Sequence, residues 1–338
     1  AFPKLWAGTE VRNPQTARMG FVQPTEGYVN WSWIRSVNGD KLYGAWFDHI
    51  ESTAQNFVDQ AFQSVLAGAR ELTLFHLGDL MDGHPGDALL AKKLPELNDL
   101  ARRVQGAVRR GVPFYKPVNS PAGENRFLAD YLAMNGIPVL PVAEYPQQSP
   151  VVFLGLQAAY DTGLEAKIEA HLKRGATVAV TPALLRALPA LAAKAGVAVD
   201  SEPHPTVATE LSAARGKRMN LAAGLEVDGG LKAGRALLLL NSPVAPVLTS
   251  QTVGGGRLLV YNLRTFNDEE YAQAKELLLP PLRRGLSELT HEAADNLRAP
   301  LLEPLGARFS APAGLALYLF GNGSIVYNFR PEEQEFLL

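Results

Sequence analysis

The sequence predicts an α/β protein built largely on parallel strands, and three observations carry that expectation. Apolar runs short enough to be strands recur along the chain, separated by stretches whose apolar residues follow helical spacing. Strand, helix and strand in succession imply parallel pairing through crossovers. Near the carboxyl end the style changes to short strands around Gly321-Asn322-Gly323, a strong hairpin signal. Three blocks follow, at 1–111, 112–290 and 291–338.

In the first block the strand-like runs are Leu5–Thr9, Leu42–Phe47 and Leu72–Phe75. Ser52 to Ala69 reads as a helix, with Phe57, Val58, Phe62, Val65 and Leu66 on its apolar face and Gly68 suited to its exit. A second helical stretch, Asp87 to Arg110, carries leucines on one face and basic residues at its end. Pro95 is expected to kink or split it.

The second block predicts strands at Pro113–Lys116, Val139–Val142, Val151–Gly155, Thr177–Val180, Ala236–Leu240 and Leu258–Asn262. Helices are expected at Arg126–Asn135, Gly163–Arg174, Ala183–Lys194 and Asp268–Leu279. That alternation gives an open, doubly wound parallel sheet covered on both faces. Val253-Gly254-Gly255-Gly256-Arg257 reads as a turn bringing in the last strand. The third block reads as a small antiparallel unit with strands at Gly306–Phe309, Leu315–Phe320 and Ser324–Phe329.

Composition narrows the function classes. A net charge of −2 over 338 residues gives no global field for nucleic acid or an anionic membrane surface. No apolar run reaches the roughly 18 residues that a membrane span needs. The absence of cysteine excludes disulfides, thiolate metal sites and thiol nucleophiles, and suits cytosol and periplasm equally. The start, Ala1-Phe2-Pro3-Lys4, has neither an initiator methionine nor a signal-peptide apolar region. The expectation is a cut or processed chain from a longer polypeptide.

Chemically capable residues gather in the first block. Glu10 and Arg12 follow the first run, Asp48, His49 and Glu51 the second, and His76 and Asp79 the third. Residues just past parallel strands lie at the carboxyl edge of the sheet, where α/β folds place their sites. All four tryptophans, including Trp31 and Trp46, lie within the first 46 residues. Aromatic faces stack on sugar rings, and carboxylates do acid/base or nucleophilic work on a glycosidic bond. The structural alternatives are a helix cap or an ion pair for each carboxylate, and a core position for each tryptophan. Asp48-His49-Ile50-Glu51 and the Asp79–Asp87 stretch match no metal spacing with a defined mechanism. Asp82-Gly83-His84-Pro85-Gly86-Asp87 reads as a turn, with Asp87 capping the next helix. No G-x-S-x-G and no phosphate loop is present, and no cofactor is expected.

The passage Phe57 to Phe75 resembles the last helix–strand unit of clan A (β/α)8 glycoside hydrolases, nearest to the family 42 β-galactosidases. The order of blocks also resembles theirs: the end of a barrel, an amidotransferase-like trimerisation domain and a small β domain. Gly254 to Tyr261 looks like the strand that closes such a middle domain, which without cysteine cannot perform amidotransferase chemistry. The resemblance implies a retaining hydrolase of a β-linked glycoside, with one glutamate after the seventh strand as nucleophile and another after the fourth as acid/base. Leu5–Glu10 has the look of the nucleophile strand, and Tyr28-Val29-Asn30-Trp31 that of the loop after it. The extra run ending at Asp48 leaves two registers open, with Glu10 or Asp48 as nucleophile. Arg12, Trp31, Trp46, His49, Glu51, His76 and Asp79 are the implied sugar contacts. The partners implied are a carbohydrate substrate and either trimer mates or a second chain supplying the missing strands. The chain alone is then expected to be inactive. The alternative is a non-catalytic sugar-binding or assembly module.

Overall fold

The computed structural model describes residues 2–12, 24–76, 78, 81, 83–121, 128–213, 216–263 and 289–338. Its first element is a parallel three-stranded sheet of β1 (Leu5–Gly8), β2 (Leu42–Phe47) and β3 (Glu71–Leu74), in that order. Two helices make the crossovers, Glu26–Asn38 and Ala54–Ala67. The first replaces the loop expected at Tyr28–Trp31. Buried Tyr28 and Trp31 lie three residues apart, the helical repeat, and pin that helix to the sheet.

Ala54–Ala67 begins in a capping box, in which Thr53 Oγ1 accepts from the Asn56 N–H and the Asn56 side chain accepts from the Thr53 N–H. It ends at Gly68 with φ 101°, a left-handed position that favours glycine. Every residue from Asn56 to Ala67 is buried, including Asp59, Gln60, Gln63 and Ser64. Most of this polar face finds partners inside the protein, although among the described residues Gln60 Oε1 and Gln63 Nε2 have none. Gln60 donates to the Asp48 carbonyl (3.0 Å), Ser64 pairs with Thr9 (2.8 Å), Tyr327 donates to Asp59 (2.6 Å) and Tyr318 donates to Gln63 (2.5 Å).

Asp59 has a pKa pushed up to about 6 by burial, against the opposing hydrogen bonds of Tyr327 and Gln55. The folded state therefore holds this proton better than the unfolded chain does. The stability it contributes is full below about pH 4 and is lost as pH rises through about 6. Asp59→Asn keeps an acceptor for both partners. It is expected to stabilise the protein by about 1–3 kcal/mol at pH 8 and hardly at pH 4, read from urea midpoints at the two pH values.

The helix Pro85–Val104 runs through Pro95 without a break, correcting the expected split. Pro95 and Ala91, whose carbonyl loses its partner, are both exposed, so water satisfies the freed group. His84, not Asp87, caps this helix: its Nδ1 accepts from the Gly86 N–H at 3.1 Å.

The large sheet is mixed rather than wholly parallel. Strands β5 (Val112–Tyr115), β6 (Val139–Val142), β7 (Val151–Leu154), β8 (Thr177–Val180) and β15 (Gly256–Tyr261) form its parallel half, in the order β6-β5-β7-β8-β15. Four antiparallel strands extend it: β14 (Pro246–Val253), β13 (Leu237–Asn241), β10 (Pro205–Ala213) and β11 (Arg218–Asp228). The run expected as a parallel strand at Ala236–Leu240 is thus antiparallel, because hairpins rather than helices connect this half. A short pair, β9 (Ala198–Val199) with β12 (Leu231–Lys232), lies beside it. Helices stand at Leu128–Met134 and Leu164–Lys173, and the segment expected as one helix at Ala183–Lys194 is two, Pro182–Ala187 and Pro189–Ala195. Pro189 starts the second at its first turn, where a missing N–H costs nothing. The helix expected at Asp268–Leu279 lies outside the described residues.

At the carboxyl end, Thr290 caps a helix His291–Leu302 that sequence reading missed. The hairpin β16 (Leu315–Phe320) and β17 (Gly323–Asn328) forms as expected, and β4 (Arg109–Arg110) adds a third strand to it. Gly306–Phe309 is not a strand: Gly306 closes a turn of 3-10 helix, and the neighbouring Ser310 makes one bridge to Leu337.

Candidate functional site

The parallel ladder of the three-stranded sheet continues past β1 and β3. The Thr9 N–H donates to the Trp46 carbonyl (3.0 Å) and the Phe75 N–H to the Phe47 carbonyl (2.9 Å). Glu10, Asp48 and His76 therefore all stand just past strand ends on the same edge of the sheet. Side chains alternate between the faces of a strand, so Trp6, Gly8 and Glu10 share one face, as do Gly44, Trp46 and Asp48 on β2. The other face, with Ala45 and Phe47 fully buried, packs on the helices, where Phe47 meets Phe57 at 5.4 Å between ring centres.

Arg12 binds both candidate carboxylates. Its Nη1 and Nη2 donate to the two oxygens of Asp48 at 2.6 and 3.3 Å, and Nη2 also donates to Glu10 at 2.8 Å. Asp48 and Arg12 are 2% and 6% exposed, while Glu10 is partly open to solvent. Asp48 is held further by the Ile50 N–H at 2.9 Å. Burial raises the Glu10 pKa, and a hydrogen-bonding approach to Asp48 adds to the rise. The Arg12 cation opposes both.

Around this group the structure sorts the other expected residues. Trp46 is half-buried, lies against Gly8 and meets the exposed Phe75 with ring centres 5.5 Å apart. Trp6 lies across Gly44, whose lack of a side chain admits the indole, and remains 39% exposed. Glu51 and His76 are the two non-glycine residues with positive φ among the described residues, at 50° and 68°. Such backbone strain gathers at functional sites. His49 and His84 have ring centres 5.2 Å apart. Because His84 Nδ1 accepts from Gly86, its Nε2 carries the proton and donates to the Ser52 carbonyl at 3.1 Å.

One expected contact is corrected. Trp31 is 1% exposed and donates its indole N–H to the Gly44 carbonyl (2.9 Å), so it is core and not an edge residue. Asp79 lies outside the described residues. Sequence reading grouped Phe75 with the aromatics of this block without pairing it with Trp46, and missed His84 as the neighbour of His49. A strand-end aromatic on the face of Trp46 was a readable signal for the first; nothing local marked the second.

Comparison with known proteins bears on this edge. Residues 1–88 match a family model described as a probable glycosyl hydrolase, catalytic domain. No curated protein matches the chain. Among solved structures, a catalytic mutant of Gan42B, a GH42 β-galactosidase from G. stearothermophilus, is similar over 99% of this chain and 54% of its own, at 13% identity and TM-score 0.57. A polyextremophilic β-galactosidase from the Antarctic haloarchaeon Halorubrum lacusprofundi covers 94% of this chain and 53% of its own, at 16% identity and TM-score 0.54. The cold-adapted β-galactosidase from Rahnella sp. R3 covers 90% and 52%, at 15% identity and TM-score 0.53. The chain thus has the fold of the GH42 β-galactosidases over about half their length, and its first 88 residues fit a glycosyl hydrolase catalytic domain.

Proposed function

We propose that the chain supplies part of the active site of a retaining glycoside hydrolase acting on a β-linked sugar. The observation that carries this reading is the open face of the parallel sheet. Parallel sheets are normally covered on both faces, yet Trp6, Phe75 and most of β3 are exposed beside two carboxylates at the sheet's carboxyl edge. A barrel closed by strands outside this sequence would cover that face and turn the edge into a pocket mouth.

Within that reading β3 is the last strand of the barrel, because the helix Pro85–Val104 then leads to β4 of the carboxyl-terminal sheet. β2 becomes the penultimate strand and Asp48 takes the nucleophile position, with Glu10 on the strand before it. Arg12 fixes both oxygens of Asp48, and Trp46 with Phe75 offers a stacking surface for a sugar ring. His49, Glu51, His76 and Asp79 would complete the rim. The acid/base would stand roughly 5–5.5 Å from Asp48, on a strand this chain does not contain. The nine-stranded sheet, at 112–290, would be the cysteine-free amidotransferase-like assembly domain, with 291–338 as the small β domain and a trimer as the assembly.

The Arg12 clamp also favours a second reading, a sugar-binding or assembly module whose carboxylates are structural. Asp48→Asn and Glu10→Gln in the complete enzyme separate the two. Catalysis by Asp48 predicts a loss of turnover of about 10⁴-fold on an aryl β-galactoside, with sugar binding retained and a smaller loss for Glu10→Gln. Unchanged turnover in both variants leaves the binding module. Robust hydrolysis by the purified chain would remove the need for further strands.

A further inference from the structure

A cavity of about 300 Å³ opens at the opposite end of the three-stranded sheet from the carboxylates. Three arginines from distant parts of the chain line it: Arg35 near the end of Glu26–Asn38, Arg70 just before β3, and Arg109 on β4. Trp31 and Phe320 form apolar walls. Among the described residues one carboxylate serves the cluster, since Asp40, itself 85% exposed, pairs with both Arg35 and Arg70. Arg109 donates to the Ser32 hydroxyl at 2.7 Å and approaches the Tyr28 phenol, and no ion pair joins it to a carboxylate among the described residues. A half-buried guanidinium with only neutral partners is costly, and burial with the repulsion of Arg35 lowers its pKa.

We propose that this cavity binds a phosphate-type oxyanion, held by Arg35, Arg70 and Arg109. Guanidinium forks match tetrahedral oxyanions geometrically, and three of them around one space exceed what a single exposed aspartate can neutralise. The volume lies at the small end of ligand pockets, enough for free phosphate or for the phosphate end of a sugar phosphate. The helices Ala54–Ala67 and Pro85–Val104 also end here, and their carbonyl ends attract cations. The test must therefore read the anion and not the arginines alone.

Isothermal titration of the full chain with inorganic phosphate and with a hexose 6-phosphate, against chloride at equal ionic strength, makes that reading. The expected result is saturable binding of one equivalent, weakened about tenfold or more in Arg109→Met and in Arg70→Met. Arg70 is half-exposed, so its variant keeps the test valid if Arg109→Met fails to fold. Tighter binding of the hexose 6-phosphate identifies a sugar phosphate as the ligand; equal binding identifies free phosphate. Heat indistinguishable from chloride for both probes, or binding that both variants leave unchanged, overturns the proposal and leaves the arginines to the helix ends.

Discussion

Replacing Arg12 by methionine is expected to lower the unfolding free energy by about 3–5 kcal/mol. The guanidinium makes two bonds to Asp48 and one to Glu10. Asp48 is 2% exposed, so without Arg12 it becomes a buried carboxylate with no cation beside it among the described residues, held by the Ile50 N–H and approached by Glu10. Removing one partner of a buried pair costs far more than removing both, because the orphaned charge keeps its desolvation penalty. Arg12→Met with Asp48→Leu is therefore expected to recover more than half of the loss. Urea midpoints at unchanged slope check both variants. An Arg12→Met midpoint within error of the parent shows that solvent screens the pair, and the clamp then positions nothing. Glu10 adds a pH dependence. Its folded pKa is already raised, so the stability tied to its proton fades as pH climbs through the carboxylate range. Loss of the Arg12 cation makes that fading steeper.

Much of this site was legible in the sequence because parallel strands impose a simple geometry. An apolar run followed at once by Glu10, or by Asp48, places each carboxylate on one edge without knowledge of anything else. Legibility ended where tertiary packing decided the outcome. Trp31 and Trp46 look alike in sequence, yet helical placement sends Trp31 under Gly44 and leaves Trp46 beside Phe75. The polar residues of Ala54–Ala67 carry no mark that Tyr318 and Tyr327, more than 250 residues away, will bury them. Strands β10 and β11 were missed for a local reason. In β10 the exposed and buried residues do not follow simple alternation, with Val207 exposed and Ala208 and Leu211 buried. The register of β10 with β11 shifts there, beside Gly224 at φ 79°, where a Cβ would lie 2.4 Å from Val207. A bulge erases the period-two pattern from which strands are read.

Arg298 is the other place where one substitution is expected to have a large effect. It is fully buried on the helix His291–Leu302, which sequence reading did not find. Its guanidinium donates to the carbonyls of Asn135, Ala311 (2.6 Å) and Pro312 (3.3 Å) and to Asp295 (2.8 Å), and it lies over the Phe309 ring. One side chain thus ties the end of Leu128–Met134 and the approach to β16 to this helix. Burial pulls its pKa down to about 10 while Asp295 opposes the fall, so it stays charged at neutral pH. Arg298→Met relieves that desolvation but leaves three carbonyls without their donor. The net loss is expected to be about 3–5 kcal/mol. Arg298→Lys keeps the charge, yet a compact ammonium cannot reach carbonyls spread around a planar fork, so it should recover only a minor part. Thermal unfolding of both variants checks this. A lysine variant as stable as the parent would mean that charge alone, through Asp295, holds the junction.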